Sequence, residues 1–327
     1  MSTNSKRALV TCESTPKFIE QIQQRGFAVH QAGWGKSGIP LDKASLITAL
    51  KDCDIAFIEL EQIDAEVIEK CPKLGLIGVA RGTPINVDLA ACKLKGISVT
   101  TTPARNADAV ADYCIAMMIV ASRSIFSSSL HLREKGWNYE GQLPYLKFRG
   151  FEIGNKKIGL YGLGNIGLKV AKRLHYGFGV KVFFYDPFVE ICAEAEKVKS
   201  LDELFEICDI ISLHAPINEA TKNSITQDQL EKLGRKGVLI NAARAGLIEE
   251  IALLEALEQN RIKGAVLDVF WNEPLESNSN WLKLENVICT PHIAGATFDV
   301  IQNHCEKLIS DLDYWLTREM DRNPDNG

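Results

Sequence analysis

No part of this chain stays apolar for long. The most apolar run, Tyr113 to Ala121, has nine residues, whereas a membrane-spanning helix needs roughly 20; no membrane association is expected. The opening Met-Ser-Thr-Asn-Ser-Lys-Arg leads directly into Ala8 to Thr11, without the apolar core of a secretory leader. Positive charge is in deficit. There are 37 Lys and Arg against 42 Asp and Glu, a formal net charge of −5 with no basic run, so the electrostatic footprint of a nucleic-acid binder is missing. The nine cysteines are an odd number and include no C-x-x-C pair. Cys114, Cys208 and Cys289 lie within apolar segments, as buried free thiols do. That pattern suits neither a disulfide framework nor structural zinc, and its simplest reading is a reducing cytoplasm and no metal site. Internal repeats and low-complexity segments are also absent.

What remains is 327 residues, 46% hydrophobic and 24% charged, the balance of a globular chain of about two domains. One stretch organises it. Ile158 to Tyr161 read as a short buried strand, Gly162, Gly164 and Gly167 follow with the spacing G-x-G-x-x-G, and Ile166, Val170 and Leu174 continue at helical spacing. A strand turning sharply into a helix offers free backbone N–H groups and the positive end of a helix dipole, which suits a pyrophosphate. The first glycine permits the turn, the second lets backbone approach phosphate, and the third lets helix and strand pack closely. Alone this pattern is weak. Here a second apolar strand, Val180 to Tyr185, ends in Asp186, nineteen positions after Gly167, close to the spacing of a ribose-binding carboxylate. The plain alternative is a glycine-rich turn beside a solvated aspartate.

The first hundred residues alternate strand and helix: strands at Ala8–Thr11, Phe27–His30, Asp54–Leu60, Leu74–Ala80 and Ile97–Thr101, and helices from Thr15 to Gly26, Leu41 to Lys51, Ala65 to Lys70 and Val87 to Lys95. Gly33 to Gly38 reads as loop. Strict alternation implies parallel strands with helices on both faces. Ala107 to Ser122 reads as a long buried helix crossing into a second domain, and Arg133 to Gly150, with Trp137, Tyr139 and Tyr145, as an arm or loop. Six strands are expected in the second domain, and a capping-box pattern, Ser200 to Glu203, opens one of its helices. The last helix, Ala296 to Arg318, gathers Ile301, Cys305, Leu308, Leu312 and Trp315 on one face and is expected to return to the first domain. The tail Met320 to Gly327 is expected to be disordered.

In open α/β sheets, ligands bind beyond the carboxyl ends of strands. His214, with Ala215 and Pro216, ends one strand of the second half, and Arg244 follows another in Asn241-Ala242-Ala243-Arg244-Ala-Gly246. Asp268 and Glu273 flank the end of a third, and His292 follows the last. Singly, each is more often an ordinary structural residue, and an exposed arginine ion pair is worth only about 0–1 kcal/mol. Together, on successive strand ends beside a phosphate-binding turn, they point to chemistry.

The ordered set G-x-G-x-x-G, Tyr-Asp186, Asn-Ala-Ala-Arg244-Ala-Gly, Leu-Asp268-Val-Phe-x-x-Glu273-Pro and Pro-His292-Ile-Ala-Gly295-Ala-Thr resembles the D-2-hydroxyacid dehydrogenase family over nearly the whole chain. It is similar in particular to D-3-phosphoglycerate dehydrogenases. The resemblance implies an α/β fold of two doubly wound parallel-sheet domains: a flavodoxin-like split substrate domain, 1–103 with 297–327, and an inserted Rossmann NAD-binding domain, 104–296. It implies His292 as acid/base, Glu273 as its carboxylate partner and Arg244 as the substrate-binding arginine. Gly162, Gly164, Asn165, Ile166 and Gly167 would then hold the pyrophosphate of NAD, and Asp186 the adenine ribose. His214, Ala215, Pro216, Ala242, Ala243, Asp268 and Gly295 would complete the cofactor site, with Arg244 and His292 also touching the cofactor. Substrate contacts would come from Arg81, Gly82 and Asn106 with Arg244 and His292. One departure stands out: counted back from Asn86, the family's usual loop arginine is replaced by Val79, and Arg81 is displaced by two. Arg105, Lys147 and Arg149 read as solvated surface charges.

The resemblance also implies a homodimer and, because the chain stops soon after its final helix, no serine-type feedback domain. It leaves several functions open. These are D-3-phosphoglycerate oxidation, glyoxylate or hydroxypyruvate reduction, an NAD-sensing corepressor that binds peptides, and, ranked last, formate or phosphite oxidation.

Overall fold

The computed structural model describes residues 6–137 and 141–322. Its elements run β1 (Lys6–Val10), α1 (Pro16–Gln24), β2 (Phe27–Gln31), α2 (Trp34–Ser37), α3 (Lys43–Leu50), β3 (Ile55–Ile58), α4 (Ala65–Lys70), β4 (Leu76–Val79), α5 (Leu89–Lys95) and β5 (Ser98–Thr101). Then come α6 (Ala107–Ser122), α7 (Ile125–Lys135), α8 (Pro144–Lys147), β6 (Lys157–Tyr161), α9 (Asn165–Phe178), β7 (Lys181–Tyr185), β8 (Glu196–Lys197), α10 (Leu201–Ile207) and β9 (Ile210–Leu213). The chain closes with α11 (Gln227–Leu233), β10 (Val238–Asn241), α12 (Glu250–Glu258), β11 (Gly264–Leu267), β12 (Val287–Cys289) and α13 (Phe298–Arg322). Among the described residues no single helix is long and apolar enough to cross a membrane. Two compact units emerge: residues up to Asn106 together with those from Thr297, and Ala107–Ala296.

In the first unit the strand order is β2-β1-β3-β4-β5 and every pairing is parallel, the 2-1-3-4-5 order of a flavodoxin-like sheet. Both faces of β3 and β4 are buried, so these strands read as continuous apolar runs. Leu46, Leu50, Val67 and Ile68 cover one face. Phe18 and Ile22 of α1 cover the other, with Cys305, Leu308 and Leu312 of α13. A Cβ on Gly78 would stand 2.8 Å from the Leu308 side chain; the bare backbone lets α13 lie close to β4.

In the second unit the order is β12-β11-β10-β9-β6-β7-β8, again parallel. The chain runs outward from β6 through β7 to β8, then returns to β9 on the other side, so the strand order reverses between β6 and β9. Val170 and Leu174 of α9 are fully buried in one core with Ile158 and Leu160 of β6. Each such side chain contributes about 1.5–3 kcal/mol, and Leu174→Ala would cost about 2–5 kcal/mol.

The expected two-sheet α/β architecture is present, with differences in detail. The second sheet has a seventh strand, because two-residue β8 pairs at its edge and is too short to carry a pattern. Gly33 to Gly38 contains a helical turn, α2, held by the Trp34 N–H donating to Glu61 Oε1 at 3.1 Å. Part of the expected arm is helical, and α7 has no buried residue, so no burial period marked it; residues 138–140 lie outside the described residues. At Ser200 the capping is one-sided: Ser200 Oγ accepts from the Glu203 N–H, while Glu203 accepts from Lys199 instead. The reciprocal box forms at Thr226 and Gln229. The expected disordered tail is corrected at 320–322, which continue α13; residues 323–327 lie outside the described residues.

Candidate active site

Gly162 leaves β6 at φ +92°, and a Cβ there would stand 2.7 Å from the Ala215 N. Only glycine lets this turn lie against the end of β9. A Cβ on Gly167 would stand 2.3 Å from the Gly162 carbonyl oxygen, so the third glycine is demanded by helix–strand packing. Gly164 differs. It caps α9 with extended backbone, and a Cβ there would meet no protein atom within 4 Å. The fold does not require that glycine. It does expose the first-turn N–H groups of a 14-residue helix, Asn165 and Ile166 first among them, as a phosphate approaching backbone requires.

Across the strand-order reversal, His214 N donates to the Tyr161 carbonyl at 2.7 Å. Its Nε2 is buried without a partner among the described residues. Burial drives the His214 pKa down to about 4, so the ring is neutral at neutral pH. Ala215 is buried and Pro216 exposed beside it. An orphaned polar atom and an undemanded glycine, both at the reversal point, fit a dinucleotide. Asp186 ties the turn to the end of β7: its carboxylate accepts from the Leu163 N–H and the Phe188 N–H, each at 2.8 Å.

Buried Asn241 ends β10 and shapes the next loop, accepting from the Ala243 N–H and donating to the Arg244 carbonyl, both at 3.0 Å. Ala242 and Ala243 are half-buried, and Arg244 is exposed. Its Nη1 donates to the Ala243 carbonyl at 2.6 Å, and the guanidinium otherwise has no hydrogen-bond or ion-pair partner among the described residues.

After β11 and β12 the geometry is tightest. His292 Nδ1 lies 2.9 Å from Glu273 Oε2, and Glu273 Oε1 accepts from the Phe270 N–H at 2.9 Å. Burial raises the Glu273 pKa, but the hydrogen bonds from His292 and Phe270, with the charges of His292 and Arg244, outweigh it and hold the carboxyl below its ordinary value. His292 has φ +57°, a left-handed conformation that costs a non-glycine residue about 1–3 kcal/mol and persists only where its surroundings impose it. Asp268 is fully buried. It accepts from the Ile293 and Ala294 N–H groups, each at 2.8 Å, and from Thr290 Oγ1 at 2.6 Å. It therefore braces the loop that carries His292 and Gly295.

Arg81, Gly82 and Asn106 belong to the first unit. The Arg81 guanidinium has no hydrogen-bond or ion-pair partner among the described residues, while its carbonyl accepts from the Thr102 N–H. Gly82 is exposed and Asn106 half-buried. Arg105, read as a solvated charge, is corrected. Its side chain is 20% exposed, pairs with Glu59 at 2.7 Å and donates to His304 Nδ1 at 2.7 Å. These partners are remote in sequence, so no local pattern announced them. Asn241 was likewise missed as a shaping residue, although an Asn ending a strand just before a small-residue loop is the available signal.

The chain matches the family model described as D-isomer specific 2-hydroxyacid dehydrogenase, NAD binding domain, over residues 115–294. A glyoxylate reductase of Korarchaeum cryptofilum is 32% identical over 311 residues, covering 94% of this chain and 91% of that protein. A D-3-phosphoglycerate dehydrogenase of Methanocaldococcus jannaschii is 36% identical over 262 residues, covering 79% of this chain but only 48% of that longer protein. Among solved structures, the NADPH-dependent glyoxylate/hydroxypyruvate reductase of Sinorhizobium meliloti, in complex with NADP and malonate, superposes with a TM-score of 0.75 at 27% identity, covering 96% of this chain and 94% of that one. A matched family model and a relative aligned over nearly its full length, on this fold, make the chain a member of the D-isomer specific 2-hydroxyacid dehydrogenase family, oxidoreductases with a nicotinamide cofactor.

Proposed function

We propose that this enzyme uses NAD to interconvert a small D-2-hydroxy acid and its 2-oxo acid, with His292 as acid/base, Glu273 as its partner and Arg244 as substrate anchor. The reading rests on one observation above all, the 2.9 Å contact between His292 Nδ1 and Glu273 Oε2. A carboxylate only accepts, so Nδ1 carries the hydrogen and Nε2 is left to exchange the substrate's proton. In oxidation, Nε2 takes the hydroxyl proton, and Glu273 stabilises the imidazolium that forms. In reduction, the protonated ring returns it. Arg244 has donors to spare for a substrate carboxylate in two parallel hydrogen bonds, and its charge favours the developing oxyanion. Nicotinamide, when bound, supplies or accepts the hydride.

The turn Gly162 to Gly167 and residues His214 to Pro216 hold the dinucleotide in this reading, with Ala242, Ala243 and Gly295 nearer its reactive end. Asp186 selects NAD, because a 2′-phosphate would meet a like charge. Arg81, Gly82 and Asn106 are proposed substrate contacts from the first unit, the proposed substrate domain. Two substrates are weighed. D-3-Phosphoglycerate has the motif likeness, whereas glyoxylate or hydroxypyruvate is favoured by a glyoxylate reductase relative aligned over nearly its full length. A cytoplasmic homodimer completes the proposal; exposed Phe126 and Leu130 on α7, with Trp137 and Tyr145, supply an apolar surface for a second copy.

The test is a panel of glyoxylate, hydroxypyruvate and phosphohydroxypyruvate with NADH, followed by loss of NADH absorbance. Turnover of at least one is expected. His292→Gln should abolish it while leaving NADH affinity within threefold; a fully active variant would remove His292 from the chemistry.

A further inference from the structure

Asp268 holds the His292 loop, and something in turn holds Asp268. Thr290 Oγ1 has one hydrogen and donates it to Asp268 Oδ1 at 2.6 Å. The same Oγ1 lies 2.6 Å from Tyr113 Oη. With its hydrogen committed, Thr290 accepts there, so Tyr113 donates. The three side chains form a directed chain, Tyr113 to Thr290 to Asp268, starting on α6 and ending on the carboxylate that anchors the backbone N–H groups of Ile293 and Ala294.

Asp268 is fully buried, and Tyr113 and Thr290 are half-buried. Burial raises the Tyr113 hydroxyl to about 12, partly opposed by its bond to Thr290, so it remains a donor across the working pH range. The two Asp268 oxygens divide the donors of the loop: Oδ1 accepts from Thr290 Oγ1 and the Ile293 N–H, and Oδ2 accepts from the Ala294 N–H. Between Thr290 and Ile293 stands His292, at φ +57°.

We propose that Tyr113 and Thr290 are positioning residues for the reaction, acting through Asp268 to impose the left-handed turn at His292 that points its ring at Glu273. They touch neither substrate nor cofactor in this assignment. It rests on His292 being the acid/base group. It goes beyond that reading by making an α6 hydroxyl, far from any family motif quoted above, a determinant of the ring's orientation.

The experiment compares Thr290→Val, Thr290→Ser and Tyr113→Phe with the parent and with His292→Gln. Displacement of a catalytic group by about 1 Å costs on the order of 10²-fold. Thr290→Val is therefore expected to lower kcat about 100-fold and Tyr113→Phe about tenfold, with KM for the 2-oxo acid and NADH affinity by fluorescence within threefold. Thr290→Ser, which keeps the hydroxyl, should recover most of kcat. The His292 ring resonances should shift in Thr290→Val and return in Thr290→Ser. Should the valine variant not fold, Tyr113→Phe removes a single oxygen and its kcat and ring resonances decide the matter. Parent-like kcat and ring resonances in Tyr113→Phe and Thr290→Val, with His292→Gln inactive, would overturn the relay and leave the acid/base reading intact. An active His292→Gln would instead bring down the acid/base reading on which the relay depends.

Discussion

Replacing Gly167 by alanine tests how far packing alone dictates the phosphate turn. The added Cβ would stand 2.3 Å from the Gly162 carbonyl oxygen and 3.2 Å from its carbon. Carbon–oxygen contacts begin at about 3.3 Å, so α9 and the turn must part by roughly 1 Å. The obstacle is backbone, not the movable tip of a side chain. Overpacking of this kind costs about 1–3 kcal/mol, here at the upper end. Alanine returns about 1 kcal/mol of helix propensity, leaving a net loss of about 2 kcal/mol. For a unit of this size that lowers the melting midpoint by about 4–8 °C. The same displacement withdraws at least one first-turn N–H from a bound phosphate, a charged hydrogen bond worth about 1.5–3 kcal/mol, so NADH should bind at least tenfold more weakly. Gly164→Ala is the contrast. Its Cβ meets no protein atom within 4 Å, so only the N-cap preference for Gly over Ala, up to about 1 kcal/mol, lowers the midpoint, by no more than about 2–4 °C, while NADH affinity still falls about tenfold. Calorimetry and NADH fluorescence titration of the two variants give four numbers. Wild-type stability in Gly167→Ala would refute the packing argument, and undiminished NADH affinity in Gly164→Ala would refute the approach of phosphate to that backbone.

Other expectations follow from the same geometry. His214 is held neutral, with a pKa depressed from 6.5 to about 4. The unfolded chain takes up that proton first, so stability is full above about pH 6.5 and declines toward pH 4; urea midpoints across this range should fall, and His214→Gln should flatten the slope. Asp186→Ser removes the carboxylate proposed to repel a 2′-phosphate, and the NADH-over-NADPH ratio of kcat/KM should drop at least tenfold; an unchanged ratio would exclude Asp186 as the discriminator. Asn241→Ala breaks two part-buried hydrogen bonds at 3.0 Å made by a fully buried side chain, which should cost about 1–3 kcal/mol in urea unfolding and raise KM for the 2-oxo acid about tenfold as Arg244 loses its seat.

Much of this protein is written locally. The helix Ala107–Ser122 has the ends that its apolar run suggests, α1 starts at the Thr15 cap with Pro16 in its first turn, and six strands of the second sheet lie where short apolar runs stand. These elements follow from side-chain periodicity, capping oxygens and glycine torsions, which act over a few residues. The order of chemical motifs also identified the family without coordinates. The tertiary structure decided what local patterns cannot encode. It divided the glycines of the turn into two that packing demands and one that it does not, because that depends on where the end of β9 lies. It turned Arg105 from a surface charge into a partner of Glu59 and His304, residues 46 and 199 positions away. It gave Asp268 its work, three donors on one loop, and left α7 without a buried face. A hydrogen bond between residues far apart in the chain depends on the path of every strand between them, so only the folded sheet brings such donors and acceptors within reach.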